Sequence, residues 1–150
     1  MAAEVRQVVE NNLTLVKELV AIEEEAFGRG GLNEWGLPPL IYHGAVYIIE
    51  ADNNPAGIAE YMRDMEEENT AYLYGLAVAK EYRGQGWGKQ LLAESLQEIK
   101  EKGIKQVELT VDPANKRACT LYRKFGFEKI EQRKDEYGAG EDRLVMVREL

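Results

Sequence analysis

The stretch "AYLYGLAVA" at 71–79 is apolar on both of its alternating faces. A strand with no polar face lies inside a sheet that is covered on both sides. The stretch is therefore expected to be a central strand. The chain then passes through "KEYRGQGWG" into "GKQLLAESLQEIKEKG", where Leu91, Leu92, Ser95, Leu96 and Ile99 form one helical stripe. Lys100 and Lys102 suit the last turn of that helix, and Gly103 suits its C-cap. "KQVELTV" at 105–111 reads as a further strand. Strand, helix and strand over 71–111 predict a right-handed parallel crossover.

The remaining segments arrange themselves around that unit. Strands are predicted at 5–9, 45–51, 56–65, 127–133 and 142–150. Asn12 is placed to cap a helix in which Leu13, Val16, Leu19, Val20, Glu23 and Phe27 fall near helical spacing, and "GRGG" at 28–31 breaks it. "LNEWGLPPL" reads as a short helix or a loop, closed by Pro38 and Pro39. "NNP" at 53–55 marks the turn of a hairpin, and 113–126 is a helix ending at Gly126. The order implies an α/β (α+β) fold: a mixed, mostly antiparallel central sheet of about seven strands with helices on both faces. The 150 residues suit one domain over 1–150.

Composition removes several classes. No apolar run approaches the roughly 20 residues of a membrane span. The start, "MAAEVRQVVENN", lacks the basic flank and apolar stretch of a signal peptide. Cys119 is the single cysteine and His43 the single histidine, which leaves no internal disulfide and no metal site, and fits a reducing cytoplasm. The net charge of −8 argues against nucleic acid as a partner. The charge is uneven. Residues 1–79 carry a net −10 and residues 80–126 a net +4.

The positive stretch contains "YRGQGWGKQL", a glycine-rich turn at a helix start. Unpaired N–H groups and the helix dipole make such a place an anion site. A Walker A loop needs Ser or Thr after Gly88-Lys89, where Gln90 stands, and a dinucleotide fingerprint needs a spacing that Gly84, Gly86 and Gly88 do not have. A phosphate-binding NTPase therefore fails on spacing. The spacing Arg-x-x-Gly-x-Gly in Arg83, Gly86 and Gly88 resembles the acetyl-CoA motif of the GNAT (GCN5-related N-acetyltransferase) superfamily. Downstream, "NKRACTLYRKFGF" from Asn115 to Phe127 resembles the same family's N-x-x-A-x-x-L-Y-x-K-x-G-F segment. The tail "YGAGEDRLVM" resembles the ribosomal-protein and N-terminal-acetyltransferase branch.

The resemblance implies that Arg83, Gly84, Gln85, Gly86, Trp87, Gly88 and Lys89 hold the pyrophosphate of acetyl-CoA. It also implies that Leu76, Ala77 and Val78 pair with the pantetheine arm, and that Asn115 and Tyr122 address the cofactor from one helix face. Acetyl transfer to a primary amine needs a proton acceptor for the amine, an oxyanion donor and a proton for the leaving thiolate. Backbone N–H groups at Leu76 to Val78 suit the oxyanion. Tyr122 suits the thiolate, or else packs as a core aromatic with Ala118 and Phe125. Relatives often carry a Glu where this chain has Tyr72 and Thr110. Glu108 acting through a water, or a water relay along Tyr72, Tyr74 and Tyr137, are the candidates for the base. Tyr137 and Tyr74 are also placed on the acceptor side. Cys119 has no histidine near it in sequence and reads as a small buried residue.

The leading expectation is an acetyl-CoA-dependent N-acetyltransferase acting on a peptide or protein N-terminal amine. A polyamine or other small amine as acceptor, and a non-catalytic CoA-binding sensor domain, are the alternatives. A homodimer is compatible with the sequence, although nothing in it requires one.

Overall fold

The computed structural model describes residues 3–150. In chain order these form β1 (Ala3–Val8), α1 (Leu13–Phe27), α2 (Leu37–His43), β2 (Ala45–Ala51), β3 (Asn54–Arg63), β4 (Thr70–Val78), α3 (Trp87–Glu101), β5 (Gln106–Val111), α4 (Lys116–Lys124), β6 (Glu128–Arg133) and β7 (Arg143–Glu149). The seven strands make one sheet in the order β1-β2-β3-β4-β5-β7-β6. β4 and β5 run parallel, as the crossover requires. The β1–β2, β2–β3, β5–β7 and β6–β7 pairs are antiparallel. The mixed, mostly antiparallel sheet predicted from the sequence is thus present.

The chain divides into two compact units: Met1–Met62 with Tyr74–Glu98, and Arg63–Leu73 with Ile99–Leu150. In the first, Val16, Leu19 and Ile22 of α1 and Leu37 and Ile41 of α2 pack on Val46 and Ile48 of β2 and Ile58 of β3. Neighbouring strand residues point the opposite way. There Tyr47 and Tyr61 meet edge to face at 5.9 Å, and the Tyr61 hydroxyl is hydrogen-bonded to Ser95 Oγ of α3 at 2.8 Å. Both faces are covered, so each fully buried side chain contributes about 1.5–3 kcal/mol. In the second unit, β5 alternates half-buried and buried residues, with Val107, Leu109 and Val111 inward.

Several boundaries differ from the sequence reading, each for a local reason. The hairpin turns on Asp52 and Asn53, both at positive φ (52° and 65°), and Ala51 pairs with Asn54. Asx residues tolerate that left-handed pair, which matches the twist of a two-residue hairpin. β3 therefore starts before Pro55, not after it. Pro38 and Pro39 open α2; they do not close the preceding segment. A proline fits a first helical turn, where N–H groups have no intrahelical acceptor. Asn12 caps α1 as expected, its Oδ1 accepting from the Leu15 N–H at 3.1 Å. Leu13 and Phe27, placed on the predicted stripe, are 59% and 41% exposed, and Ile22 is buried in their stead.

Glu23, also on that stripe, is buried. Its Oε2 accepts from the Leu32 N–H at 3.3 Å and so ties the segment after α1 back onto the helix. Burial raises its pKa to about 7, against the lowering effect of the Leu32 hydrogen bond. The folded value lies above the unfolded one. The stabilisation from the neutral acid is thus complete below the unfolded pKa and is lost as pH rises through about 7. The loss is at most about 3 kcal/mol. Glu23→Gln should be insensitive to this change. Urea midpoints near pH 5 and pH 8 should show wild type weakening relative to the variant, and parallel curves would refute the effect.

Candidate active site

The glycine turn is built to keep backbone groups outward. Gly84 and Gly86 have φ of +80° and +82°, where side-chain-bearing residues are strained, and a Cβ on either would meet nothing within 4 Å. Both glycines, Gln85 and Lys89 face solvent. α3 begins at Trp87, and the Gln90 N–H donates to Gly86 O at 3.1 Å. The N–H groups of the turn before that bond lack an intrahelical acceptor. An open turn with left-handed glycines, outward N–H groups and Lys89 fits a phosphate chain.

Two side chains of this stretch have tasks that the sequence reading did not assign. Trp87 is buried and stacks on Tyr82 at 4.8 Å with 16° between the rings. Its side chain anchors the helix start, leaving only its backbone to face an anion. Arg83 Nε donates to Val78 O at 2.9 Å, and Nη2 lies 3.8 Å from Glu25 Oε1. Glu25 also accepts from the Lys80 N–H. Arg83 therefore braces the turn against the end of β4 and against α1, a role that motif spacing does not reveal.

α4 is shorter than predicted because Asn115 caps it. The Asn115 Oδ1 accepts from the Ala118 N–H at 3.1 Å, so Asn115 lies before the helix and not on its face with Tyr122. Short polar side chains are favoured at this position for that bond. The far end closes with equal economy. Gly126 at φ +87° lets its N–H reach Arg123 O, and the Phe127 N–H reach Tyr122 O, both at 3.0 Å. This is the Schellman arrangement. Phe127 then packs edge to face on Tyr122, with ring centroids 5.7 Å apart. The partner of Tyr122 is thus Phe127, not Phe125. Tyr122 is buried, and burial, with smaller effects from Cys119 and Tyr72, pushes its pKa up. Cys119 is buried, as expected, with Sγ 3.7 Å from Asp112 O.

Tyr72 and Thr110, set aside as bases, are bonded to each other: Tyr72 Oη lies 2.8 Å from Thr110 Oγ1. Burial raises the Tyr72 pKa, the Thr110 bond opposes it, and Tyr137 and Glu108 add to the rise. Glu108 is half-buried and pairs with Tyr72 in the β4–β5 ladder. Tyr137, in the turn before β7, is 65% exposed, and the Arg143 guanidinium carbon sits 4.9 Å from its ring centre. Tyr74 is exposed on β4. The β4–β5 ladder runs from Thr70 and Gln106 to Leu73 and Leu109, although the strands continue to Val78 and Val111. Leu76, Ala77 and Val78 lie beyond that ladder.

Sequence reading missed Glu60, the polar residue in the middle of β3. It has no exposed surface, and neither carboxylate oxygen has a hydrogen-bond partner among the described residues. Among those residues no group of three or more His, Cys, Asp or Glu could hold a metal ion, and no helix is long and apolar enough to cross a membrane.

Residues 14–127 match the acetyltransferase (GNAT) family, and the chain belongs to it. A ribosomal protein bS18-alanine N-acetyltransferase of Haemophilus influenzae is 38% identical over 81 residues, 51% of this chain and 55% of that protein. An N-alpha-acetyltransferase of Sulfurisphaera tokodaii is 29% identical over 119 residues, 73% of this chain and 71% of that one. The chain spans 55% to 64% of the length of the first curated relatives it matches. The fold is similar to that of Ard1 from Thermoplasma volcanium, with a TM-score of 0.85 and 18% identity over 100% of this chain and 99% of that chain.

Proposed function

We propose that residues 1–150 form one cytoplasmic N-acetyltransferase domain that transfers the acetyl group of acetyl-CoA to the α-amine of a peptide N-terminus. The observation that carries the cofactor assignment is the open, left-handed glycine turn at the start of α3. Its backbone N–H groups and Lys89 receive the pyrophosphate. Leu76 to Val78 present backbone groups to the pantetheine arm and an N–H to the developing oxyanion. Tyr122 faces the leaving sulfur as a hydrogen-bond donor, and Tyr137 contacts the peptide backbone.

Three considerations favour an α-amine. An α-amino group titrates at ~7.7–8.0 and a lysine at ~10.4, so the former gives up its proton without a strong base. The relatives named above act, by name, on alanine or on N-alpha groups. Residues 1–79, at net −10, favour a cationic acceptor. That last point also favours polyamines, the second reading. The test is kcat/KM for matched peptides with free and blocked N-termini, both carrying a lysine, at low and high salt. Turnover of the free peptide alone, falling with salt, is expected. Equal turnover would assign the lysine, and turnover of spermidine alone would assign polyamines.

A further inference from the structure

Glu60 is the polar group least explained by the fold. A Cβ built on Gly75 of β4 would stand 2.7 Å from Glu60 Oε2, and Phe27 Cε2, from the end of α1, is 3.7 Å from the same point. Neither neighbour donates a hydrogen bond or carries a charge. Gly75 is half-buried and Phe27 partly exposed, whereas the carboxyl between them is fully buried. Gly75 immediately precedes Leu76 to Val78.

A carboxylate buried without a partner costs several kcal/mol. An apolar residue at this position would carry no such penalty, and Ile58, two residues earlier on the strand, is one. The cost is offset when a donor arrives. A group that offsets the cost has to bring N–H donors and positive charge. A primary ammonium has three such donors. Any side chain at residue 75 would collide with the carboxyl, its Cβ 2.7 Å from Oε2.

We propose that Glu60 receives the acceptor amine and takes its proton, an assignment that rests on the acyl-transfer reading above. One N–H bond of the ammonium breaks and one O–H bond forms on Glu60. The ammonium becomes a neutral amine, the carboxylate a carboxylic acid, and the freed nitrogen lone pair is available to the thioester carbon. Glu60 then fills the role for which Tyr72 and Thr110 are unsuited, from β3 and not from β4 or β5.

Glu60→Gln keeps the shape, removes the buried charge and should melt no lower than wild type. Its kcat/KM for a free-N-terminus peptide should follow the fraction of neutral amine, whereas wild type levels off below the amine's own pKa of ~8. The deficit is about tenfold near pH 7 and closes toward pH 9. Gly75→Ala, which sets a methyl group against the carboxyl, should reproduce the kcat/KM deficit near pH 7. Parallel pH profiles for wild type and Glu60→Gln would overturn the proposal. Should wild type acetylate no amine, the acyl-transfer reading fails, and binding decides for Glu60. Propylamine should then raise the melting temperature of wild type and not of Glu60→Gln, and equal shifts, or none, would overturn the assignment.

Discussion

Gly86→Val should weaken acetyl-CoA binding by about 10²-fold or more, equivalent to about 2.7 kcal/mol, while the variant still folds. Gly86 sits at φ +82°, a region closed to β-branched side chains by contact with their own backbone. Its Cβ would touch no other atom within 4 Å, so no packing is lost. What changes is the direction of the peptide groups. Valine forces the turn toward negative φ, the N–H groups rotate away from the ligand side, and the isopropyl group stands where the phosphates approach. Calorimetric titration with acetyl-CoA, alongside a melting curve to establish folding, measures this. Unchanged affinity would remove the turn from the binding site.

Tyr122→Phe should lower kcat by roughly 10²-fold with little change in acetyl-CoA affinity. The ring contact with Phe127 survives in the variant, so stability should hold. Because burial pushes the Tyr122 pKa up, the hydroxyl stays protonated at every working pH and the loss should not vary with pH. So weak an acid does not surrender its proton outright to a thiolate, whose conjugate thiol titrates near ~8.5. In the proposed reaction it stabilises the charge with an O–H donor until the proton released by the amine arrives. Steady-state kinetics with a free-N-terminus peptide decide the matter. A kcat near wild type would leave Tyr122 as a packing residue alone.

The element order and the parallel crossover were legible because 71–79 is a continuous apolar run and Leu91–Ile99 a single helical stripe. The hairpin was misplaced by two residues because Pro55 looked like the turn, whereas Asp52 and Asn53 supply the left-handed pair. The glycine turn was legible from motif spacing, and so was the helix that carries Tyr122. The tasks of Arg83, Trp87 and Asn115 were not. Each is decided by a neighbour in space: Val78 O, the Tyr82 ring and the Ala118 N–H. Glu60 was invisible for a related reason. A glutamate in "AGIAEYMRDM" looks like any solvent-facing strand carboxylate until the glycine on the next strand is known.

The closure of α4 has a consequence for the order in which the molecule acquires its parts. The contacts that close α4 around Tyr122 join residues three or five apart, Gly126 to Arg123 and Phe127 to Tyr122. Closing so short a loop costs little chain entropy, and helical segments form within about a microsecond. The strand that precedes α4 is slower to settle. β5 needs β7, and the Gln106–Glu149 pair spans 43 residues of chain. Non-local pairing of that kind sets the pace of folding in sheet proteins. The tyrosine and its phenylalanine therefore assemble as an early local cassette, oriented before the surface they serve exists.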